Sequence, residues 1–154
     1  MSFEAASAYL SKMGYEKNIK KFDVSSATVE LAAKAVGTEP AKIAKSLTFK
    51  VDDSPVMVVC AGDAKVSNAK FKAFFNTKAK MLKSDEVSEL IGHDVGGVCP
   101  FGIKAGVKVY LDESLRRFET VYPACGNSNS AVALKINELE ETSKFIGWID
   151  ICNI

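Results

Sequence analysis

One seven-residue stretch, residues 96–102, restricts the folds open to this chain more than any other. It reads Gly-Gly-Val-Cys-Pro-Phe-Gly, with three glycines and one proline. Glycine permits positive φ and close backbone approach, whereas proline fixes φ and has no N–H, so neither a helix nor a central strand can include this stretch. We therefore predict a loop, which is either a tight turn between core elements or a surface where main-chain groups meet a ligand.

Apolar residues at helical spacing and capping residues predict helices on both sides of this loop. We expect helices after caps at Ser2, Thr28, Ser67, Ser84 and Asn137, and a short helical turn at Pro40 that leads to Lys45. The helix after Ser67 carries three aromatic side chains, Phe71, Phe74 and Phe75, which we expect in the core.

Short apolar segments predict the strands. They are residues 19–24, 46–51, 55–61, 79–83, 107–111, 120–122, 131–136 and 148–151, with a hairpin turn at Asp52-Asp53-Ser54. Helices and strands are mixed without a regular alternation, which favours an α/β (α+β) domain built around a mixed, curved sheet. A chain of 154 residues, 47% hydrophobic and 25% charged, is expected to form one domain over residues 1–154.

Composition argues against several other classes of protein. No apolar run approaches 18 residues and the N-terminus lacks the pattern of a leader, so we expect a cytoplasmic protein with no membrane partner. The four cysteines (Cys60, Cys99, Cys125 and Cys152) have no Cys-x-x-Cys spacing, and one histidine does not complete a usual zinc site. We therefore predict free thiols, no metal and no cofactor.

Lysines are concentrated in two segments although the net charge is only +1. Six of them lie between Asp63 and Asp85 without an intervening acid, and four more lie between residues 12 and 21. Such a run is either a solvated face or the contact surface for a polyanion. The candidate contacts are Lys20, Lys21, Lys65, Lys70 and Lys72.

Four segments in order resemble the YbaK family, the free-standing relatives of the editing domain of bacterial prolyl-tRNA synthetase. They are residues 43–49 with Lys45, Ala61-Gly62-Asp63, the loop at 96–102 with its Gly-x-x-x-Pro pattern, and residues 125–130. The resemblance extends over residues 26–151. It implies a partly barrel-like sheet flanked by helices, and an aminoacyl-tRNA deacylase that acts in trans on a carboxylic ester. The implied partners are the aminoacylated 3′ end of tRNA and prolyl-tRNA synthetase, not DNA.

The same resemblance implies roles for individual residues. Lys45 matches the lysine on which deacylation depends, and an ammonium there can clamp a phosphate or a developing negative charge. From its position alone, Lys45 is equally a helix cap or a solvent-facing side chain. Main-chain groups of Gly96, Gly97 and Pro100 would supply dipoles for the oxyanion. Short polar side chains of the second loop, those of Asn127, Ser128 and Asn129, would bind a ribose or an α-amino group, and Gly126 would also contact the substrate.

A pocket wall of apolar residues would then select a small aminoacyl group such as alanyl, seryl, cysteinyl or threonyl on tRNA(Pro). We predict that this wall is formed by Val98, Cys99, Pro100 and Phe101 against Leu47 and Phe49, and that Gly102 also contacts the substrate. A nucleophilic pairing of Cys99 with His93 is not expected, because the adjacent Asp94 does not orient the imidazole. Two alternatives remain open: a deacylase, or a module that binds RNA or a synthetase without turnover. The oligomeric state is not predicted.

Overall fold

The computed structural model describes residues 2–154, which form five α-helices and ten β-strands. The helices are α1 (Ser2–Lys12), α2 (Val29–Val36), α3 (Asn68–Phe75), α4 (Ser84–Leu90) and α5 (Ile136–Ser143). The strands are β1 (Ile19–Lys21), β2 (Ile43–Val51), β3 (Ser54–Ala61), β4 (Lys65–Val66), β5 (Lys108–Asp112), β6 (Thr120–Pro123), β7 (Ser130–Val132), β8 (Leu134–Lys135), β9 (Gly147–Ile149) and β10 (Cys152–Asn153). Short 3₁₀ turns lie at Glu16–Asn18, Pro40–Lys42 and Glu113–Arg117.

Side-chain caps fix the starts of two predicted helices. The Thr28 hydroxyl accepts a hydrogen bond from Leu31 N at 3.2 Å, and α2 begins after it as predicted. The Ser67 hydroxyl likewise accepts from Lys70 N at 3.3 Å at the start of α3.

The predicted caps of α4 and α5 are wrong by one and two residues. The N-cap residues are Lys83 and Lys135, not Ser84 and Asn137. In each case a glutamate three residues later accepts a hydrogen bond from the cap's own backbone N–H, so the glutamate sets the helix start.

Six strands form the central sheet in the order β8-β6-β2-β3-β5-β9. β2 and β3 are an antiparallel hairpin whose turn residues Asp52 and Asp53 have φ of 51° and 62°, as a two-residue turn requires. The pairs β2–β6, β3–β5 and β5–β9 are parallel, and β6–β8 is antiparallel. The result is the predicted fold, a mixed, curled, half-barrel sheet flanked by helices.

Three strand predictions are wrong. Residues 79–83 form no strand and contribute one isolated bridge, between Met81 and Phe49. Residues 131–136 are divided, because β7 pairs with β1 while β8 pairs with β6. The closing segment is divided in the same way, since β9 joins the central sheet and β10 pairs with β4.

The core fills both faces of the central hairpin, and β3 is buried from Val56 to Ala61. On one face, Phe49 packs against Phe71 of α3 with ring centroids 4.8 Å apart. Phe71 is fully buried as predicted, whereas Phe74 is 47% exposed because it lies on the outer side of α3. Among the described residues no helix is both long and apolar enough to cross a bilayer.

Candidate active site

A cavity of about 300 Å³ opens between β2, the start of α2 and the glycine-rich loop. Its lining comes from six separate parts of the chain, and its apolar members include Val29, Leu82, Val87 and Val98. Hydroxyl groups are the commonest polar members: Ser26, Thr28, Ser46, Thr48, Ser84, Tyr122 and Ser130. The lining includes one charged residue, Lys45. This cavity is the candidate active site.

The cavity lies at a gap along one edge of β2. The other edge of β2 pairs with β3 throughout. On the gap side, β2 pairs with β6 at Ile43 and Ala44 only. Further along, Lys50 N donates to Lys80 O at 2.9 Å, and Thr48 O accepts from Leu82 N at 3.1 Å. Between these pairings, residues 45–47 have no strand partner on this edge within the described part of the chain.

The gap leaves main-chain groups of Ser46 facing the cavity. Thr48 and Lys50 direct their hydrogen-bonding groups to this edge. In an antiparallel strand, alternate residues direct these groups to the same side, so the N–H and C=O of Ser46 also point into the gap. Ser46 thus presents an unpaired donor and acceptor at the cavity edge.

Lys45 is the third residue of β2 and not the end of a helical turn. Its ammonium donates hydrogen bonds to the carbonyl oxygens of Gly62, at 3.3 Å, and Ala64. An ammonium has three N–H donors, and these two hydrogen bonds use two of them. Lys45 also borders the cavity.

The turn that receives Lys45 is held by an ion pair. Asp63 accepts two hydrogen bonds from the Arg117 guanidinium, at 2.6 and 3.0 Å, and Arg117 Nε donates to Ser114 O at 2.9 Å. The hydrogen bonds from Arg117 lower the pKa of the Asp63 carboxyl below its usual value. At Gly62 a Cβ atom would lie 2.0 Å from Pro40 O, so only glycine fits there.

The glycine-rich loop borders the cavity through Gly96 and Val98. Gly97 faces the second loop instead, where its carbonyl accepts from Gly126 N at 3.0 Å and a Cβ would lie 2.4 Å from Asn127 N. Its own N–H donates to Asp94 O at 3.0 Å. The residues of this loop that border the cavity are therefore Gly96 and Val98.

The other residues predicted for the pocket wall lie outside the lining. Phe49, Cys99 and Phe101 are fully buried in the core. In β2, Leu47 and Phe49 lie on the face opposite Ser46 and Thr48, and neither belongs to the cavity lining. Pro100 and Gly102 also lie outside the lining, and Gly102 packs against the backbone of α1.

The second loop supports the cavity from outside. Asn127 Oδ1 accepts from Asn129 N and from the Ser130 hydroxyl, and Asn129 Nδ2 donates to Phe22 O. The Ser128 carbonyl accepts from Ser26 N at 2.6 Å. None of the four predicted residues, Gly126 to Asn129, borders the cavity. Instead they position Ser26 and Ser130, which do.

His93 and Cys99 lie in contact beneath the loop, with Cys99 Sγ 3.4 Å from His93 Nε2. The closer neighbour of Nε2 is Phe101 O at 2.6 Å, and a carbonyl only accepts, so Nε2 carries the proton. Nε2 therefore has no lone pair to take a proton from the thiol. Burial lowers the pKa of His93 and raises the pKa of Cys99, which keeps both groups neutral.

The predicted tRNA-contacting lysines lie outside the cavity. Lys20, Lys21, Lys65 and Lys72 are exposed, and Lys21 Nζ lies 4.8 Å from the centre of the Phe3 ring. Lys70 is already engaged, with Asp150 Oδ1 at 3.1 Å and Cys152 O at 2.9 Å. Over residues 2–154, no group of three or more histidine, cysteine or acidic side chains is placed to ligate a metal.

Several lining residues had no signal in the sequence. Met81 and Val95 are 55% and 62% exposed at the cavity mouth, although both side chains are apolar. The sequence pattern predicts Thr28 only as a helix cap and Tyr122 only as part of a strand. Their positions beside Ser46 depend on pairings between distant segments, which no local pattern shows.

Residues 23–142 match the family described as the aminoacyl-tRNA editing domain. The uncharacterized protein YwhH of Bacillus subtilis is 46% identical over 153 residues, 99% of this chain and 98% of that protein. The proline–tRNA ligase of Thermotoga maritima is 33% identical over 110 residues, 70% of this chain but 19% of the ligase. A crystal structure described as a candidate trans-editing enzyme for prolyl tRNA synthetase has a TM-score of 0.89 at 25% identity, covering 99% of this chain and 98% of that one.

Proposed function

The chain belongs to the aminoacyl-tRNA editing domain family, and from that premise we propose that it is a deacylase acting in trans on mischarged tRNA. The substrate is tRNA(Pro) carrying a small amino acid such as alanine, serine, cysteine or threonine. The partners are the 3′ end of that tRNA and prolyl-tRNA synthetase, and the activity belongs to the cytoplasm. We also propose that residues 1–154 form a single editing domain.

One observation carries the proposal: Lys45, the open edge at Ser46 and the main chain of Gly96 border the same cavity. An aminoacyl ester is already activated, so its hydrolysis needs a positioned water and donors for the oxyanion rather than a strong base. The cavity lining within the described residues contains no acid and no histidine. A site that positions the ester and stabilises charge fits this set of groups.

In the proposed reaction, water attacks the ester carbonyl carbon and forms a tetrahedral oxyanion. We propose the N–H groups of Gly96 and Val98 as the donors that stabilise it, because the N–H of Gly97 is already engaged with Asp94 O. The bond from this carbon to the ribose oxygen then breaks, and the ribose oxygen takes a proton. Lys45 holds a phosphate of the terminal nucleotide with its remaining N–H. The neighbouring ribose hydroxyl or the substrate side chain assists the water.

The test is a deacylation panel. Purified protein is mixed with tRNA(Pro) charged with alanine, serine, cysteine, threonine or proline, and the loss of each ester is followed. We expect cleavage of one or more small esters and sparing of the prolyl ester. In Lys45→Ala, the activation free energy of deacylation should rise by about 2–4 kcal/mol, because one preorganised charge that stabilises the transition state is lost.

Two controls make the result decisive. Lys42→Ala changes a nearby lysine that lies outside the cavity lining and should retain activity. Thermal melting establishes that Lys45→Ala is folded. Full activity in folded Lys45→Ala would refute the role of Lys45. Binding of charged tRNA without hydrolysis of any ester would instead identify a non-catalytic module.

A further inference from the structure

Ser46 combines three unused hydrogen-bonding groups at one point of the cavity. Its N–H and C=O face the gap in β2, as described above. Its hydroxyl oxygen is buried and has no hydrogen-bond partner among the described residues. A buried hydroxyl without a partner is uncommon and calls for an explanation.

Three other hydroxyls of the lining already form hydrogen bonds within the fold. Thr28 Oγ1 accepts from Leu31 N, Ser26 Oγ donates to Ser130 O, and Ser130 Oγ donates to Asn127 Oδ1. Ser46 differs from these three because nothing in the fold uses its hydroxyl. No hydrogen bond with another described residue holds this hydroxyl, so it can turn toward a ligand in the cavity without breaking one.

A partner for this hydroxyl is best uncharged. The lining contains no acidic side chain, and its one charged residue is the cation Lys45, so a substrate ammonium gains nothing by lying deep beside the Ser46 side chain. The substrate ammonium can instead donate a hydrogen bond to the Ser46 carbonyl oxygen at the open edge. A group bound there lies alongside Ser46 like a residue of a neighbouring strand, with side chains about 4.5–5.5 Å apart. That separation is within reach of a hydrogen bond between two short hydroxyl side chains.

We propose that the Ser46 hydroxyl is a specificity-determining group that favours seryl and threonyl esters over alanyl and valyl esters. A hydroxyl both donates and accepts, so another hydroxyl satisfies it fully, whereas a methyl group leaves it unpaired. This inference rests on the proposed deacylase function. It identifies the hydroxy amino acids as the substrate class within the small esters considered above.

Cavity size supports selection by contact rather than by volume. At about 300 Å³ the cavity is in the range of sites that hold whole small ligands. Steric exclusion alone would not separate serine from alanine, which is smaller, or threonine from valine, which has nearly the same shape. A hydrogen bond to the substrate hydroxyl can separate both pairs.

The experiment compares Ser46→Ala with wild type on tRNA(Pro) charged with serine, alanine, threonine or valine. Wild type should cleave the seryl and threonyl esters faster than the alanyl and valyl esters. In Ser46→Ala, the ratios of kcat/KM for serine over alanine and threonine over valine should each fall about three- to tenfold. Ser46→Thr keeps a hydroxyl and should retain the preference. Ser54→Ala, a matched change in the exposed part of β3, should leave both ratios unchanged.

The possible results separate the two proposals. Equal slowing of all four esters in Ser46→Ala overturns the specificity role, as does a wild type without preference for hydroxylated esters, while the deacylase function stands. A wild type that cleaves none of the esters overturns the function and this inference together. Removing an unpaired buried hydroxyl should not lower the Tm of Ser46→Ala, and a melting curve establishes that the variant is folded.

Discussion

His93 and Cys99 illustrate how burial decides the chemistry of single residues. Both are fully buried, and the imidazole proton is committed to the carbonyl of Phe101. Their contact at 3.4 Å resembles a catalytic pair in distance only, because the thiol finds no free lone pair on Nε2. Neither residue borders the cavity. We infer that the pair supports the loop at Gly96 from beneath.

We therefore predict that Cys99→Ser and His93→Gln retain turnover within a few-fold of wild type, and that a metal chelator has no effect. The measurement is deacylation of one ester by each folded variant. A collapse of activity in folded His93→Gln would restore a histidine mechanism. Cys125→Ser, another buried thiol, serves as the matched control for Cys99→Ser.

The pH dependence of unfolding gives a second readout of His93. Burial lowers the imidazole pKa in the folded protein, so below about pH 6.5 the unfolded chain binds a proton that the folded chain does not. Wild type should lose stability as the pH falls from that value toward the folded pKa. His93→Gln should lack this loss, and denaturant unfolding at a series of pH values measures the difference.

At the scale of elements, the position of Lys45 depends on the turn at residues 62–64. Arg117 and Asp63 hold that turn, and the turn carbonyls hold the ammonium. Arg117→Gln should leave the cavity intact but release the turn, so kcat/KM should fall several-fold. Arg117→Lys should restore part of the loss, although a lysine cannot form both hydrogen bonds. Arg116→Gln is the matched control, since Arg116 pairs with Glu113.

The same ion pair has a defined pH signature. Because Arg117 lowers the Asp63 pKa, the pair stabilises the fold above the ordinary carboxyl pKa of about 4 and stops doing so as the pH falls through the lowered value. The carboxylate is partly exposed, so the contribution should be small, about 0.2–1 kcal/mol. Equal acid sensitivity in Arg117→Gln and wild type would contradict this role.

Local signals predicted the elements better than the contacts between them. Caps at Thr28 and Ser67, and the hairpin at Asp52-Asp53, are short-range patterns, and the structure confirms them. The phase of β2 is also local, since residues alternate between faces. The prediction of Phe49 as a cavity residue failed because the sequence does not reveal which face of β2 borders the cavity. The strand prediction at residues 79–83 is wrong for a related reason, since the pairing of this segment with Phe49 depends on a partner that is distant in sequence.

At the scale of the whole molecule, the cavity is assembled from residues between 26 and 131 of the chain. Lys45 and Gly96, which the resemblance singles out, both border the cavity, and their catalytic roles remain predictions. Val98 also borders it, whereas the other wall residues and the loop at Asn127 do not. Only the sheet pairings show which side chains of distant segments meet.

The exposed lysines provide a prediction at this scale. Replacing Lys65 and Lys72 by glutamine, or Lys20 and Lys21, should weaken binding of all tRNAs alike and flatten the salt dependence by about 0.7–0.9 units of slope per lost contact. Filter binding at several salt concentrations measures the slope. Lys108→Gln with Lys135→Gln, two exposed lysines outside both segments, is the matched control. An unchanged slope in the first two variants would identify these lysines as a solvated face.

The alternation of β2 has a consequence for how such a scaffold can diversify. Ala44, Ser46 and Thr48 border the cavity from one face of β2 and Lys45 also borders it, while Leu47 and Phe49 pack into the core. Small changes at the three even-numbered positions alter what the cavity accepts without disturbing the packing of Phe49 on Phe71. Substitutions within this one strand can therefore change substrate selectivity while the fold is kept. A single-residue insertion before Ala44 would exchange the two sets and lose both at once.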